Sequence, residues 1–97
     1  MVVWEFQVKA GCEQQFIEAY GPQGAWAMLF RQSPGFMQVE LKRSSSDALR
    51  FFTFDLWESS VAYESFCEKH SGAYEVLDRK LAGLMQWERR VGAFPRE

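Results

Sequence analysis

Apolar and polar residues alternate from Val2 to Val8, with Val2, Trp4, Phe6 and Val8 on one side and Val3, Glu5 and Gln7 on the other. That period of two predicts a strand. Gly11 breaks the run, and from Cys12 the positions Phe16, Ala19 and Tyr20 recur at helical spacing among Glu13, Gln14, Gln15 and Glu18. A first helix begins there. Gly21-Pro22 interrupts it, because proline lacks the N–H that a helix interior needs and disfavours helix at the residue before it. Trp26, Leu29 and Phe30 then resume the stripe, so the helix is read as kinked or two-part, ending near Gln32.

Ser33-Pro34-Gly35 is a turn signal. It is followed by Phe36 to Arg43, where Met37, Val39 and Leu41 alternate with Gln38, Glu40 and Lys42. After a polar connection, Arg50 to Trp57 predicts a third strand, with Phe52, Phe54 and Leu56 opposite Phe51, Thr53, Asp55 and Trp57. The two strands read as a hairpin with a loose loop. Glu58-Ser59-Ser60 supplies N-cap residues and an acidic charge for a long second helix. Its stripe is Tyr63, Phe66, Cys67, Tyr74, Leu77 and Leu81, with a bend near Ser71-Gly72 and a stop at Gly83. Leu84 to Val91 predicts a fourth strand, Met85, Trp87 and Val91 alternating with Gln86, Glu88 and Arg90.

The order strand, helix, strand, strand, helix, strand is the ferredoxin-like α+β arrangement, a four-stranded antiparallel sheet. Right-handed crossovers put both helices on one face. The helix-facing set is expected to be Trp4, Phe6, Val8, Met37, Val39, Leu41, Phe52, Phe54, Leu56, Met85 and Trp87. The opposite set then holds Glu5, Gln7, Gln38, Glu40, Thr53, Asp55, Gln86, Glu88 and Arg90 together with Val3, Phe36, Phe51, Trp57 and Leu84. Such a face is too apolar for free solvation and too polar for a core, and it suits an isologous homodimer that pairs sheet on sheet.

The 97-residue length predicts one domain over 1–97, since a chain of this size has room for a single core. A net charge of −2 with both signs scattered argues against a phosphate-backbone binder. Arg50-Phe51-Phe52-Thr53-Phe54 has the aromatics of an RNA-recognition strand but lacks its glycine, so no nucleic-acid partner is expected. No apolar stretch approaches the roughly 20 residues of a membrane span, and Met1-Val2-Val3-Trp4-Glu5 has no signal-peptide pattern. The expected location is therefore the cytoplasm. Cys12 and Cys67 lie far apart with no zinc spacing, so neither a structural zinc nor a disulfide is expected.

Aromatic residues stand out: nine Phe, four Trp and three Tyr. Tyr20, Tyr63 and Tyr74 fall on helix stripes beside Trp26 and Phe30. They form either packed core or the wall of a cavity for a planar ligand. Trp4, Trp57 and Trp87 divide in the same way between core, dimer interface and ligand wall. His70, at the edge of the second helix's stripe, either packs there or deprotonates a phenolic substrate. Asp55, Glu5, Glu40, Glu88 and Arg90 read as interface pairs across the second face rather than as a catalytic set. Cys12 reads as an ordinary thiol.

Several stretches resemble a known family: Trp4-Glu5-Phe6-Gln7-Val8-Lys9-Ala10-Gly11, Pro34-Gly35-Phe36, Leu56-Trp57-Glu58-Ser59 and Glu88-Arg89-Arg90-Val91-Gly92. Together they are similar to the antibiotic biosynthesis monooxygenases, dimeric α+β barrels whose ligand pocket lies between sheet and helices. The resemblance implies a cofactor-independent oxygenase for a small aromatic or quinol-like molecule. A non-catalytic ligand-binding or dimerisation module of the same fold is the alternative. Haem-degrading members carry an asparagine, a tryptophan and a histidine where this chain has about Trp4, Phe66 and Val76, which points away from haem. Quinol-oxidising members carry a tryptophan and, six residues on, a tyrosine, and Trp57 with Tyr63 fits that spacing. Their nearby asparagine falls close to Thr53, and their helical arginine has Arg79 as its approximate counterpart. The catalytic candidates are thus Trp57, Tyr63 and His70. The pocket-wall candidates are Trp4, Tyr20, Trp26, Phe54, Phe66, Tyr74, Arg79 and Trp87, with no metal or cofactor.

Overall fold

A computed structural model describes residues 1–95. Strand β1 (Val2–Val8) leads to α1 (Glu13–Tyr20) and α2 (Ala25–Phe30), then to β2 (Phe36–Arg43) and β3 (Arg50–Trp57). Helices α3 (Ser60–Lys69) and α4 (Ser71–Leu81) follow, and a 3-10 turn at Ala82–Leu84 enters β4 (Met85–Ala93). The sheet order is β2-β3-β1-β4 with antiparallel neighbours throughout. This is the ferredoxin-like α+β fold.

Both crossovers are broken helices. Gly21 closes α1 with its N–H on the Ile17 carbonyl, 3.0 Å. Gly24 then caps α2 so tightly against α1 that a Cβ there would overlap the Glu18 and Ala19 carbonyl oxygens. In the second crossover the Ser59 hydroxyl accepts from the Ala62 N–H at 3.1 Å, a cap that starts α3. The break falls at His70, with φ −116° and ψ 24°, one residue before the expected bend. Between sheet and helices the rings interlock: Phe16 stacks on Tyr20 at 4.3 Å and meets Phe51 at 4.9 Å, while Phe30 and Phe66 both pack on Trp57. Offset and edge contacts of this kind add to the burial that holds the layers together.

The register corrects the expected faces. Phe6 pairs with Phe51 and Trp4 with Thr53, so Phe51, Thr53, Asp55 and Trp57 face the helices, and Phe52, Phe54 and Leu56 face away. On β4 an extra residue at Gln86 reverses the phase: Met85 pairs with Val8 and stays inside, but Trp87 pairs with Gln7 on the outer face. Glu88 and Arg90, opposite Phe6 and Trp4, turn inward. A bulge at Met37 does the same on β2, turning Phe36 inward against Trp57 and leaving Met37 49% exposed. A β-bulge puts two residues against one, so alternation read across it inverts. The pocket-wall assignments of Phe54 and Trp87 are therefore corrected, as is the outward placement of Phe36, Phe51, Thr53, Asp55, Trp57, Glu88 and Arg90.

The outer face is apolar at its centre, with Val3, Phe52, Phe54, Leu56 and Trp87 around Glu5. Arg50 and Arg89 hold the Glu5 carboxylate at 2.8 and 2.5 Å. The Arg89 hydrogen bond, and then the two guanidinium charges, keep it below the ordinary carboxylate range against the cost of burial. No helix among the described residues is long and apolar enough to cross a membrane.

Candidate aromatic cavity

The sheet's inner face, α2 and α4 enclose a cavity lined by aromatic Trp4, Phe6, Tyr20, Trp26, Phe30 and Tyr74 and by Val39, Thr53, Asp55, Asp78 and Glu88. Strand pairing places its floor: Thr53 lies opposite Trp4, and Asp55 lies between Val2 and Val39. Trp26 from α2 meets Tyr74 from α4 edge-on at 4.9 Å. The space between the walls, mouth included, is about 380 Å³, of which about 30 Å³ admits the centre of a water molecule. That is room for one or two waters. A bound ring must therefore push back part of the wall, and the half-buried Tyr74 sits on α4, a helix with no fully buried residue.

Asp55 is the chemically informative wall residue. It is 5% exposed, and neither of the ion pairs of the described residues reaches its carboxylate. Burial pushes its pKa up to about 7, with a partial opposing pull from the N-terminal ammonium group. Glu88 is also raised, first by burial and then by the charge of Asp78. Tyr74 is pushed up to about 12 by burial, with the charges of Asp78, Glu88 and Asp55 among the lesser causes. Two polar groups at the cavity are buried and unpaired, the Tyr20 hydroxyl and the Trp26 indole N–H. The indole lies near enough to ease the Tyr20 hydroxyl's upward shift, but the two are outside hydrogen-bond geometry. A carboxylate titrating near neutrality beside unpaired hydroxyl and N–H groups can take a proton from a bound phenol and orient the ring.

A second, wider groove of about 1170 Å³, of which about 580 Å³ admits the centre of a water molecule, lies at the other end of the sheet, between Trp57, Tyr63, Glu64 and Arg90 and the chain ends at Met1, Phe94 and Pro95. Trp57 and Tyr63 meet there edge-on at 5.5 Å, and the Arg90 guanidinium lies 5.9 Å from the Tyr63 ring centre. Burial, and then Tyr74 and Cys67, raise the Tyr63 hydroxyl's pKa, with Arg90 opposing. This groove is larger, but the buried Asp55 carboxyl and the unpaired hydroxyl and indole of the first cavity make that one the better chemical site, Trp57's own buried unpaired indole notwithstanding.

The structure thus brings Trp4, Tyr20, Trp26 and Tyr74 together as expected. Trp57 lies behind Phe30 in the cavity wall and lines the groove with Tyr63. Phe66 is core, packed between Phe30, Trp57 and His70. His70 stacks on Phe66 at 5.0 Å and lines neither space. Arg79 is exposed on α4 and lines neither. Asp55, Asp78, Glu88 and Thr53 were missed as wall residues. No signal in the sequence separates them, since Phe52, Phe54 and Leu56 in the opposite phase of β3 are more uniformly apolar than Phe51, Thr53, Asp55 and Trp57.

An antiparallel sheet with two broken crossover helices over an aromatic cavity defines a ferredoxin-like α+β domain. The sequence pattern described as "Antibiotic biosynthesis monooxygenase" matches residues 1–71, and the chain belongs to that family. A mutant of SnoaB, a cofactor-independent oxygenase from Streptomyces nogalater, is similar over 99% of this chain and 91% of its own, with TM-score 0.78 and 18% identity. The ActVA-Orf6 monooxygenase of Streptomyces coelicolor, solved with nanaomycin D, is similar over 99% and 86%, with TM-score 0.75 and 23% identity. PA3566 from Pseudomonas aeruginosa matches over 97% and 92%, with TM-score 0.63 and 15% identity. No curated protein sequence matches the chain.

Proposed function

We propose that this protein is an oxygenase of small phenolic or quinol-like aromatics, that the cavity beneath α2 and α4 is its active site, and that Asp55 is the proton acceptor. The observation that carries this reading is the buried Asp55 carboxylate, reached by neither ion pair of the described residues, in the lining of an aromatic-walled cavity. Family membership and the fold shared with the SnoaB oxygenase and the ActVA-Orf6 monooxygenase support it. The phenolic O–H breaks, its proton passes to Asp55, and the phenolate's ring carbon donates electrons to O2 and forms a C–O bond. The O–O bond then breaks. One oxygen stays as a quinone carbonyl and the other leaves as water, with one proton from Asp55 and one from the ring C–H. The ring is oxidised by four electrons and O2 is reduced by four. Trp4, Tyr20, Trp26 and Tyr74 hold the ring, and displacing the cavity's water strengthens each electrostatic contact inside.

The working unit is a homodimer of the full 97-residue chain, joined through the outer sheet face. Phe52, Phe54, Leu56 and Trp87 there need covering, and Arg50 and Arg89 already neutralise Glu5 at the centre of that face, which lowers the cost of burying it against a second copy. The free thiols of Cys12 and Cys67 fit a reducing cytoplasm.

Oxygen uptake with a panel of hydroquinones, hydroxynaphthalenes and anthrones tests the reaction. One O2 consumed per quinone formed is the expected stoichiometry. Binding of the same compounds without uptake overturns the oxygenase reading in favour of a ligand-binding module.

A further inference from the structure

The charged side chains that line the cavity are of one sign. Its lining includes three carboxylates, Asp55, Asp78 and Glu88, and no Lys, Arg or His. Arg90, two residues along β4 from Glu88, lies over the Tyr63 ring in the neighbouring groove instead. The carboxylates come from three different elements, β3, α4 and β4, and among the described residues no cluster of His, Cys, Asp and Glu converges as metal ligands must. They are therefore spread round the wall. Between them stand six aromatic residues, and aromatic faces carry negative potential that attracts organic cations. Two unpaired groups on residues more than nine-tenths buried, the Tyr20 hydroxyl and the Trp26 N–H, also belong to this lining and lack partners, beside the 5% exposed Asp55.

We infer that the cavity selects an aromatic substrate bearing a positively charged amine, its ring held by Trp4, Tyr20, Trp26 and Tyr74 and its ammonium group by Asp78 and Glu88 at the mouth. The inference rests on the cavity being the substrate site, as proposed above, and names the substrate's class. A phenolate formed beside Asp78 and Glu88 would be repelled by both. An ammonium group on the same molecule cancels that repulsion, so the cation makes the oxygenation chemistry workable in an acidic cavity that otherwise opposes it. Simple anionic quinols, by the same reasoning, are excluded.

Three probes of one ring and three charges test this: tyramine, 4-ethylphenol and 4-hydroxyphenylacetate, titrated at pH 8 in low salt by quenching of tryptophan fluorescence and by calorimetry. Tyramine should bind about tenfold more tightly than 4-ethylphenol, a gap in keeping with one partly desolvated cation among aromatic rings and carboxylates. The carboxylate probe should bind most weakly. The double variant Asp78→Asn, Glu88→Gln, both at partly exposed positions that the fold tolerates, should abolish tyramine's advantage and leave 4-ethylphenol binding within about twofold. Raising the salt to 0.5 M should narrow the gap in the native protein alone. Equal binding of the cationic and neutral probes, an advantage that survives in the double variant, or no binding of any probe overturns the inference. Oxygen uptake with neutral quinols and no preference for aminated ones overturns it too and leaves the oxygenase reading standing. Tight tyramine binding with no uptake across aminated and neutral quinols does the reverse.

Discussion

Trp4 on β1 pairs directly with Thr53 on β3, and this one pairing puts Asp55, two residues further along β3, on the helix-covered side of the sheet. The carboxylate is thereby desolvated with only the N-terminal ammonium group opposing the shift, which makes its ionisation both a cost to the fold and a source of basicity.

Asp55→Asn should stabilise the protein above neutral pH. Asp55's folded pKa of about 7 lies above its ordinary 3.8, so the folded state binds the proton more tightly. Stability from this group is present below pH 4 and is lost as pH rises towards 7. The asparagine variant avoids that loss, and thermal melts at pH 8 should show it more stable by roughly 1–4 kcal/mol. At pH 4 the two proteins should melt together. A variant that is less stable at pH 8 would show that the carboxylate has a favourable partner.

The same substitution should reduce quinol oxidation by about 10²-fold or more, the range for loss of a positioned base. Native activity should rise with pH through about 7 as Asp55 deprotonates, and Asp55→Asn should remove that limb. Tyr63→Phe and His70→Ala lie outside the cavity and should change the rate by less than about threefold. A dependence on Tyr63 with none on Asp55 would move the chemistry to the groove at Trp57 and Arg90.

Light scattering at micromolar concentration should give twice the 11.3 kDa chain mass. Phe54→Asp puts a charge at the apolar centre of the outer face and should yield monomers with an unchanged circular dichroism spectrum. A native mass of 11.3 kDa would remove the dimer.

Gly24→Ala should cost about 1–3 kcal/mol, because its methyl group meets the Glu18 and Ala19 carbonyl oxygens, which are backbone and have no easy way to yield. Chemical denaturation measures this directly. The separation of α1 from α2 would also shift Trp26, so aromatic ligand binding should weaken along with stability.

Element type and order were legible along the whole chain, because periods of two and 3.6, Pro22, Pro34 and the Ser59 cap are local signals that act on the backbone where they occur. Membership of the aromatic wall was legible for Trp4, Tyr20, Trp26 and Tyr74, since each lies on a stripe whose phase no bulge interrupts. The side on which each sheet residue falls was not. Phe51, Thr53, Asp55 and Trp57 alternate as cleanly as Phe52, Phe54 and Leu56, and the more uniformly apolar set turned out to be the outer one. Alternation along a strand defines two faces but leaves open which one the helices cover; only pairing with β1 settled that. The extra residues at Gln86 and Met37 added inversions that appear only when neighbouring strands are matched residue against residue. The sequence by itself thus determined the fold and its aromatic content. Tertiary pairing decided that Asp55 and Glu88 belong to the cavity, and with them its charge.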